Sequence, residues 1–217
     1  MRKLNRPVVP TCLHKLKKTS PTKWVLKDSD KSEIWQALNI MQNFFCAYCE
    51  RKLIRENCHI EHLTPQHILK GLRGRSIYEW DNLFGSCDHP DHCGRYKDDQ
   101  VTDYDATNLI KPDMEDPARY LAFLPNGHIN IKDNLDDNSI TKGRETIRVL
   151  NLQSTSLVNL RQKKISEFQM RLDELQELIE CSNGKEDEDF IREQTQSFQN
   201  DIAVSEYYLA VFQNALI

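Results

Sequence analysis

One stretch of sequence, Cys46 to Asp98, decides the fold of this chain. It opens with CAYC (46–49), continues with HIEH (59–62) and ends with CDHPDHCGRYKD (87–98). Two pairs of cysteines therefore bracket an acid–histidine dipeptide. A tetrahedral zinc ion takes four thiolates, and a Cys-x-x-Cys turn can direct two sulfurs at one ion. The stretch predicts a structural zinc site with the ligands Cys46, Cys49, Cys87 and Cys93.

The second cysteine pair is more widely spaced than the first, and the residues between its members leave an alternative open. His89 and His92 lie in this interval, and either imidazole could replace one sulfur at the ion. The remaining cysteines, Cys12, Cys58 and Cys181, have no partner at ligand spacing and are interpreted as core or surface thiols. A closed site of this kind contributes to folding and has no open position for a substrate.

Length and composition limit the class of protein. A chain of 217 residues suggests one or two domains with a real hydrophobic core. No apolar run approaches the roughly 18 residues of a membrane span, and no secretory segment follows the basic N-terminus. We therefore expect a cytoplasmic protein that does not enter a membrane. In that compartment seven cysteines, an odd number, favour metal ligands over a disulfide framework.

Charge is distributed unevenly along the chain. The net charge is −4, but residues 1–27 contain eight Lys or Arg, and residues 51–75 contain six. Acidic residues are concentrated later, in 113–116, 133–137 and 186–189. Basic charge beside Glu61-His62 is typical of a phosphate-binding face. A solvated surface with uneven charge explains the same pattern equally well.

The positions of the prolines and the periodicity of the hydrophobic residues divide the chain into three parts. Residues 1–29, with Pro7, Pro10 and Pro21, are interpreted as a basic extended arm that lies on the domain or on a ligand. Residues 30–152 are predicted to form the zinc-containing domain. Residues 153–217 are predicted to form a helical region that packs on this domain or on a partner.

Several elements can be predicted within these parts. A helix should begin near Asp30, since Ile34, Leu38, Met41 and Phe45 recur at helical spacing. We expect a strand that enters Glu61-His62, a helix over 94–100, and a hairpin whose turn is Asn126-Gly127. The C-terminal helix should begin near Ser156 and end at Asn183-Gly184, because its apolar positions are spaced by three and four: Ile165, Phe168, Leu172, Leu175 and Ile179. Two further helical stretches are expected after it, the second containing Ile202, Leu209, Phe212 and Leu216.

The dipeptide between the cysteine pairs has the chemistry that phosphodiester hydrolysis requires. Such a reaction needs a base to activate water and a cation to offset charge on the phosphate. His62 is the candidate base, and Glu61 is a candidate ligand for a hard divalent cation. Asn82 could fix the loop between the two halves, and Asp98 could be directed toward Glu61 by one helical turn. Neighbours on a strand point to opposite faces, so Glu61 and His62 can share a site only where the strand ends or bends.

These motifs resemble a known family. The order Cys-x-x-Cys, acid-His-x-x-Pro, Asn-Leu and Cys…Cys-x-x-x-Lys resembles the zinc-stapled branch of the HNH nuclease superfamily. The resemblance implies an α+β fold with a ββα-metal core, preceded by a helix and followed by an α-helical C-terminal region. It also implies that Glu61 is the metal ligand of the first strand, that His62 is the general base and that Asn82 is the middle asparagine.

One position departs from that pattern. In many members the residue directly after the last cysteine is His or Asn, whereas this chain has Gly94. We therefore expect the second ligand of the catalytic cation, Mg²⁺ or Mn²⁺, to be Asp98. His92 and Asp99 are the alternatives.

A narrower resemblance covers most of residues 1–170. The runs CAYCE (46–50), HCGRYKD (92–98) and GRETI (143–147) are similar to the retron-associated and Septu-type HNH effectors. Members of that family are anti-phage nucleases that act with an ABC-type or SMC-like ATPase. The resemblance implies such a partner for this chain.

The sequence thus predicts a metal-dependent endonuclease that acts on nucleic acid, and DNA is favoured over RNA as the identity of that substrate. Contacts to the phosphate backbone of the nucleic acid are expected from six basic residues: Arg51, Arg55, Lys70, Arg73, Arg75 and Lys97. Such contacts give low sequence specificity. One competing interpretation is a non-catalytic zinc module that binds nucleic acid or protein. Another is a cysteine hydrolase using Cys58 beside His59, which is weaker because adjacent residues rarely present nucleophile and base to one another.

Overall fold

The computed structural model of the protein describes residues 1–19, 22–182 and 185–215, apart from the side chains of 185–187. Within these ranges the fold is mixed α+β and mostly helical, which confirms the predicted class. The helices are α1 Thr11–Thr19, α2 Asp28–Gln42, α3 Gln66–Gly71, α4 Cys93–Gln100, α5 Asp137–Val149, α6 Thr155–Cys181, α7 Lys185–Ala203 and α8 Tyr208–Asn214. The strands are β1 Cys58–His62, β2 Leu83–Cys87, β3 Leu121–Phe123 and β4 Ile129–Ile131.

Strands β1 and β2 pair antiparallel over their full length. Cys58 lies opposite Cys87, and His62 lies opposite Leu83. All five residues of β2 are buried, and the adjacent α4 packs against this strand. The predicted strand at Glu61-His62 and the predicted helix over 94–100 are both confirmed. Strand β1 contains the acid–histidine dipeptide, with β2 beside it and the first turn of α4 next to Glu61.

Helix α2 forms largely as its periodicity predicts. Ile34, Leu38 and Met41 are buried on one face. The helix begins at Asp28, two residues before the predicted start, and the Asp30 carboxylate accepts a hydrogen bond from the backbone N–H of Lys27 at 3.1 Å. Phe45 is also buried, but it follows the end of the helix and bridges to Lys52.

The prediction of an extended N-terminal arm is wrong for Thr11–Thr19, which form α1. Leu13 of this helix is fully buried, and Met1 and Leu4 also belong to the main core. The first backbone N–H of α1 donates to the carboxylate of Glu33 on α2 at 2.5 Å. The helix is therefore capped by a residue from another element, and local sequence does not reveal that acceptor.

The hairpin of β3 and β4 is confirmed, with Gly127 in its turn at φ +81°. Its turn packs against α6, where the buried Arg161 donates to the Gly127 carbonyl at 2.8 Å and also to the Leu152 carbonyl. A side chain at Gly127 would collide with the backbone of Val158. The hairpin and α6 therefore fit each other only because this turn residue is glycine.

The C-terminal region is helical, as predicted. Helices α6, α7 and α8 share a small core of Phe168, Leu175, Phe198, Ile202, Val211 and Ala215. The predicted helix end at Asn183-Gly184 and the predicted apolar position Leu216 lie outside the described residues. Helix α5 was not predicted from the sequence. Ile202 belongs to α7 rather than to the last helix. Over the described part of the chain, none of the helices combines the length and apolar character that crossing a bilayer requires.

Candidate metal centre and acid–histidine site

The four predicted zinc ligands converge from three elements. Cys46 and Cys49 lie in a tight turn after α2, in which the N–H of Glu50 donates to the Cys46 carbonyl at 3.0 Å and Glu50 has φ +65°. Cys87 ends β2, and Cys93 begins α4. The backbone N–H of Cys87 donates to Cys46 Sγ at 3.4 Å. The turn, the strand and the helix are thus joined at a single cluster of sulfurs.

The geometry of this cluster fits a tetrahedral metal ion. All four cysteines are buried, and their sulfurs lie within 4.8 Å of one another. Cys46 Sγ is 3.8 Å from Cys93 Sγ, and Cys49 Sγ is 3.8 Å from Cys87 Sγ. Bonds of about 2.3 Å from zinc to four tetrahedral sulfurs would separate those sulfurs by about 3.8 Å. This four-cysteine group could bind a structural metal ion such as zinc.

Burial and thiol–thiol contacts act in opposite directions on Cys46. Burial raises the pKa of its thiol, but hydrogen bonds with the neighbouring cysteine side chains hold that pKa well below its usual value. A thiol that loses its proton readily is suited to binding a metal ion, because the thiolate is the ligand.

His92 and His89 lie beside the cysteines. The His92 ring is fully buried, with Nδ1 3.2 Å from Cys93 Sγ and 3.7 Å from Cys87 Sγ. Burial, together with His89, lowers the His92 pKa to about 4. His89 stacks on His92 with ring centroids 4.2 Å apart. The neutral His92 imidazole can therefore donate a hydrogen bond to a sulfur while four cysteines remain available to the ion.

Glu61 lies on the α4 side of β1 among charged groups. Its side chain is 1% exposed; Oε1 is 2.9 Å from Lys97 Nζ, and Oε2 is 3.1 Å from His59 Nε2. The Lys97 ammonium also contacts the Asp98 carboxylate. Burial raises the pKa of Glu61, but the His59 hydrogen bond and the Lys97 charge outweigh burial, so that the pKa is lowered. The carboxylate is thus held ionised inside the protein.

Gly94 allows this arrangement. A Cβ atom on Gly94 would lie 2.5 Å from Glu61 Oε2 and 2.9 Å from His59 Nε2. Both atoms therefore lie directly over the first turn of α4. The absence of a side chain at Gly94 leaves the space that the pair occupies.

His62 ends β1 and contacts a different set of residues. Its Nε2–H donates to the Ile77 carbonyl at 2.8 Å, and Gln66 Nε2 lies 3.5 Å from Nδ1. The Trp24 ring meets the imidazole edge to face with centroids 4.4 Å apart, and the side chain of His62 is largely buried. Burial is the main cause of a lowered His62 pKa. The imidazole is therefore neutral near pH 7, with its unprotonated lone pair on Nδ1.

Asn82, directly before β2, is hydrogen-bonded to the loop that follows β1. Its Oδ1 accepts from the backbone N–H of Thr64 at 2.8 Å, and its Nδ2 donates to the Thr64 carbonyl at 3.0 Å. The backbone carbonyl of Asn82 also accepts from the N–H of Leu63 at 3.1 Å. Asn82 therefore fixes the bend that directly follows His62.

Two open cavities lie beside this bend. One has a volume of about 310 Å³ and is lined by residues that include Thr64, Arg75, Asn82, Lys111 and Lys142. The other, of about 520 Å³, is lined by residues that include Thr64, Leu72, Arg75 and Tyr104. Glu61, His62 and Asp98 do not line either of these two cavities. The cavities adjoin the loop that Asn82 holds rather than the acid–histidine pair itself.

The predicted catalytic residues are thus brought together only in part. Glu61 and Asp98 meet at Lys97, while His62 and Asn82 lie on the Ile77 and Thr64 side of β1. Glu61 and His62 follow the alternation of a strand, but β1 ends at His62, which is the condition that a shared site requires. The alternative ligand Asp99 pairs with Arg95 at 3.5 Å, and His92 lies against the cysteines.

Most of the residues predicted to contact the nucleic-acid backbone lie on the protein surface. Arg55, Lys70, Arg73 and Arg75 are exposed, and Arg51 is half-buried. Lys97 is fully buried beneath Glu61 and Asp98, and its interpretation as a surface contact does not fit that burial. The reason is its position on α4, one turn after Cys93, on the helix face that points into the protein.

Sequence reasoning missed two residues of the site. His59 was considered only beside Cys58, although His59 and Glu61 are two residues apart and so share one face of β1. Trp24 belongs to the predicted arm of residues 1–29, which was expected to lie on the domain or on a ligand; it packs on both His62 and Tyr78. The role of His59 could have been predicted from the alternation of side chains along a strand. The role of Trp24 depends on tertiary contacts between distant segments.

Comparison with known proteins does not assign this chain to a family. No protein-family model matches the sequence, and no curated protein matches it either. The resemblance to HNH nucleases therefore rests on the motif residues of this sequence.

Proposed function

We propose that this protein is a metal-dependent endonuclease of the HNH type, in which β1, β2 and α4 form the catalytic unit. One observation carries the proposal. A neutral, buried imidazole, His62, directly follows a buried, ionised carboxylate, Glu61, at the end of a strand that adjoins a four-cysteine metal centre. A base and a cation ligand at one end of a fixed strand are what phosphodiester hydrolysis needs.

His62 acts as the general base. Its Nε2–H is engaged by the Ile77 carbonyl, so Nδ1 is the atom that takes a proton from water. The contact from Gln66 to Nδ1, at 3.5 Å, is long, and a water molecule can replace it. As Nδ1 takes the proton, the water oxygen forms a bond to phosphorus in line with the bond from phosphorus to the 3′-oxygen, which breaks, and the departing 3′-oxygen takes a proton from solvent. The products are a 5′-phosphate and a 3′-hydroxyl.

Glu61 anchors the divalent cation, Mg²⁺ or Mn²⁺. The carboxylate is a hard oxygen donor held ionised, and Asp98 lies on the far side of the Lys97 ammonium with 52% of its side chain exposed. When bound, the cation offsets charge on the phosphate and on the leaving oxygen. Asp98 is the proposed second oxygen donor, and the Lys97 ammonium must move from between the two carboxylates for both to reach one ion.

The substrate class is proposed from the exposed basic residues near the site. Arg75 lines both cavities beside Thr64, and Lys70 and Arg73 precede it in the same exposed segment. Contacts of these residues to phosphate would position a strand without selecting its sequence. We therefore propose a nucleic-acid substrate, with DNA favoured over RNA. In the wider proposal the protein is a cytoplasmic effector of anti-phage defence that acts with an ABC-type or SMC-like ATPase.

A second candidate function is favoured by the burial of His62. Only 6% of this residue is exposed, and Trp24 covers its ring. A non-catalytic zinc module that binds nucleic acid or protein needs no accessible imidazole. The two functions differ in whether the purified, zinc-containing chain cleaves nucleic acid.

The decisive experiment compares cleavage by three proteins: the wild type, His62→Ala and the control His128→Ala, whose histidine is exposed on the β3–β4 hairpin. Each is incubated with supercoiled plasmid and with single-stranded RNA in Mn²⁺ or Mg²⁺, and its zinc content is measured. We expect His62→Ala to lose about 100-fold or more in rate with zinc retained. His128→Ala should behave as the wild type.

Two outcomes would contradict the proposal in different ways. If His62→Ala cleaves at the wild-type rate, His62 is not the base. If zinc-loaded wild type binds nucleic acid but cleaves none with either cation, the binding module is supported.

A further inference from the structure

We infer that His59 is a direct ligand of the catalytic cation, paired with Glu61 Oε2. This inference rests on the proposed function, because it concerns the same site. Both side chains belong to β1 and project from the same face of the strand. His59 Nε2 and Glu61 Oε2 are 3.1 Å apart.

The distance between these two atoms suits shared coordination of an ion. Two adjacent ligands of an octahedral ion, each about 2.1 Å from it, are separated by about 3.0 Å. In the present geometry a proton on Nε2 joins the two atoms. A divalent cation that replaces this proton could bind both atoms without a large movement of either side chain.

The surroundings of His59 are those of a ligand imidazole. Its Nδ1 is buried without a hydrogen-bond partner among the described residues and faces the Asp88 carboxylate at 3.7 Å. A histidine that binds metal through one ring nitrogen commonly directs the other N–H at a carboxylate. Asp88 in turn lies 3.4 Å from Arg95 Nη1, which limits its movement.

Access and charge also favour the site. The His59 side chain is 30% exposed, so an ion can reach its ring from solvent. The carboxylates of the cluster outnumber its fixed cations: Glu61, Asp88, Asp98 and Asp99 face Lys97 and Arg95. A divalent cation at His59 offsets this negative balance. Lys97 can remain on Oε1 while the ion binds Oε2.

The inference separates His59 from the sequence-predicted ligand Asp98. Lys97 lies between Glu61 and Asp98, whereas His59 contacts Glu61 directly. If His59 is the ligand, the bound ion has a nitrogen in its coordination sphere. If oxygen donors alone bind it, no such nitrogen is present.

The test is electron paramagnetic resonance of Mn²⁺ added to the zinc-loaded, full-length protein. Loss of the free-ion signal measures binding, and electron spin echo modulation detects a directly bound ¹⁴N nucleus. We expect one site with a nitrogen coupling that changes to a ¹⁵N coupling in protein labelled with ¹⁵N-histidine. His59→Ala should lose the coupling and bind Mn²⁺ about tenfold or more weakly. Asp98→Asn and the control His128→Ala should keep the coupling.

Labelled wild type provides an answer even if His59→Ala fails to fold, and zinc content identifies that failure. Bound Mn²⁺ without a histidine coupling, or a coupling that persists in folded His59→Ala, overturns the inference. If such a protein still cleaves nucleic acid through His62, the proposed function stands and only the His59 assignment fails. If Mn²⁺ does not bind and nothing is cleaved with any divalent cation, both fail.

Discussion

The Lys97 ammonium lies 2.9 Å from Glu61 Oε1, and neither side chain has more than 1% of its surface exposed. Burial alone would lower the pKa of Lys97, but the Glu61 charge raises it above its ordinary value. Each group therefore keeps the other ionised in an environment that otherwise disfavours charge. The pair connects β1 to α4 and fixes the orientation of the Glu61 carboxylate.

Removing the charge of Lys97 should destabilise the fold. We expect Lys97→Met to lower the free energy of unfolding by about 3–5 kcal/mol, because the buried Glu61 carboxylate loses its ammonium partner and keeps only the hydrogen bond from His59. The measurement is urea unfolding at neutral pH, with the wild type and the double variant Lys97→Met/Glu61→Gln as controls. The double variant should recover part of the loss, since it removes the unpaired charge. A single variant as stable as the wild type would show that the ion pair contributes nothing.

Helix periodicity contained the information that places Lys97 inside. Cys93 and Lys97 are four residues apart, so they share one face of α4, and a zinc ligand must face inward. Asp98 lies about 100° further round the helix and reaches the surface. The prediction of Lys97 as a surface contact considered only its basic charge and its neighbours in sequence.

Other parts of the fold differ in how far sequence could predict them. The ligand set Cys46, Cys49, Cys87 and Cys93 follows from local spacing, and the face of α2 follows from periodicity. Helix α1 depends on an acceptor from Glu33, and the burial of His62 depends on Trp24. Such contacts between distant segments exist only once the chain has folded, so no local pattern encodes them.

The metal centre should protect four of the seven cysteines from modification. In zinc-loaded protein the exposed Cys181 should react first with a maleimide, and the half-buried Cys58 should react more slowly. Burial and nearby carboxylates raise the pKa of Cys12 to about 12, so its thiol should react slowest of these three. Mass spectrometry should find the four clustered cysteines labelled only after zinc is chelated. Their rapid labelling without chelation would argue against a bound ion.

A methyl group at Gly94 should disturb the acid–histidine site without removing zinc. Gly94→Ala places a Cβ 2.5 Å from Glu61 Oε2, so the carboxylate or α4 must shift. We expect Mn²⁺ binding and cleavage to weaken about tenfold or more, with normal zinc content. Gly71→Ala is the matched control, because nothing lies within 4 Å of its added Cβ. Equal effects of the two substitutions would mean that the position over Gly94 has no special role.

The two hydrogen bonds of Asn82 should stabilise the bend after His62. Asn82→Ala leaves the N–H and the carbonyl of Thr64 without these partners, and we expect a loss of about 1–3 kcal/mol in the free energy of unfolding. Asn82→Asp retains the acceptor for the Thr64 N–H but turns a buried carboxylate oxygen toward the Thr64 carbonyl, so it should lose at least as much stability as Asn82→Ala. The exposed Asn138→Ala provides the control. Thermal and urea unfolding measure the change, and a neutral Asn82→Ala would exclude this role.

Nucleic-acid binding should depend on the exposed basic residues in the last turn of α3 and in the segment that follows it. Each phosphate contact that is removed should reduce the slope of log affinity against log salt by roughly 0.7–0.9, because fewer counterions are released on binding. Lys70→Gln/Arg73→Gln should therefore weaken binding in a salt-dependent way and to a similar degree on unrelated sequences. Lys163→Gln/Arg192→Gln removes the same charge from the exposed surfaces of α6 and α7. If this control shifts the slope as much as the first pair, the effect arises from net charge and the contacts lie elsewhere.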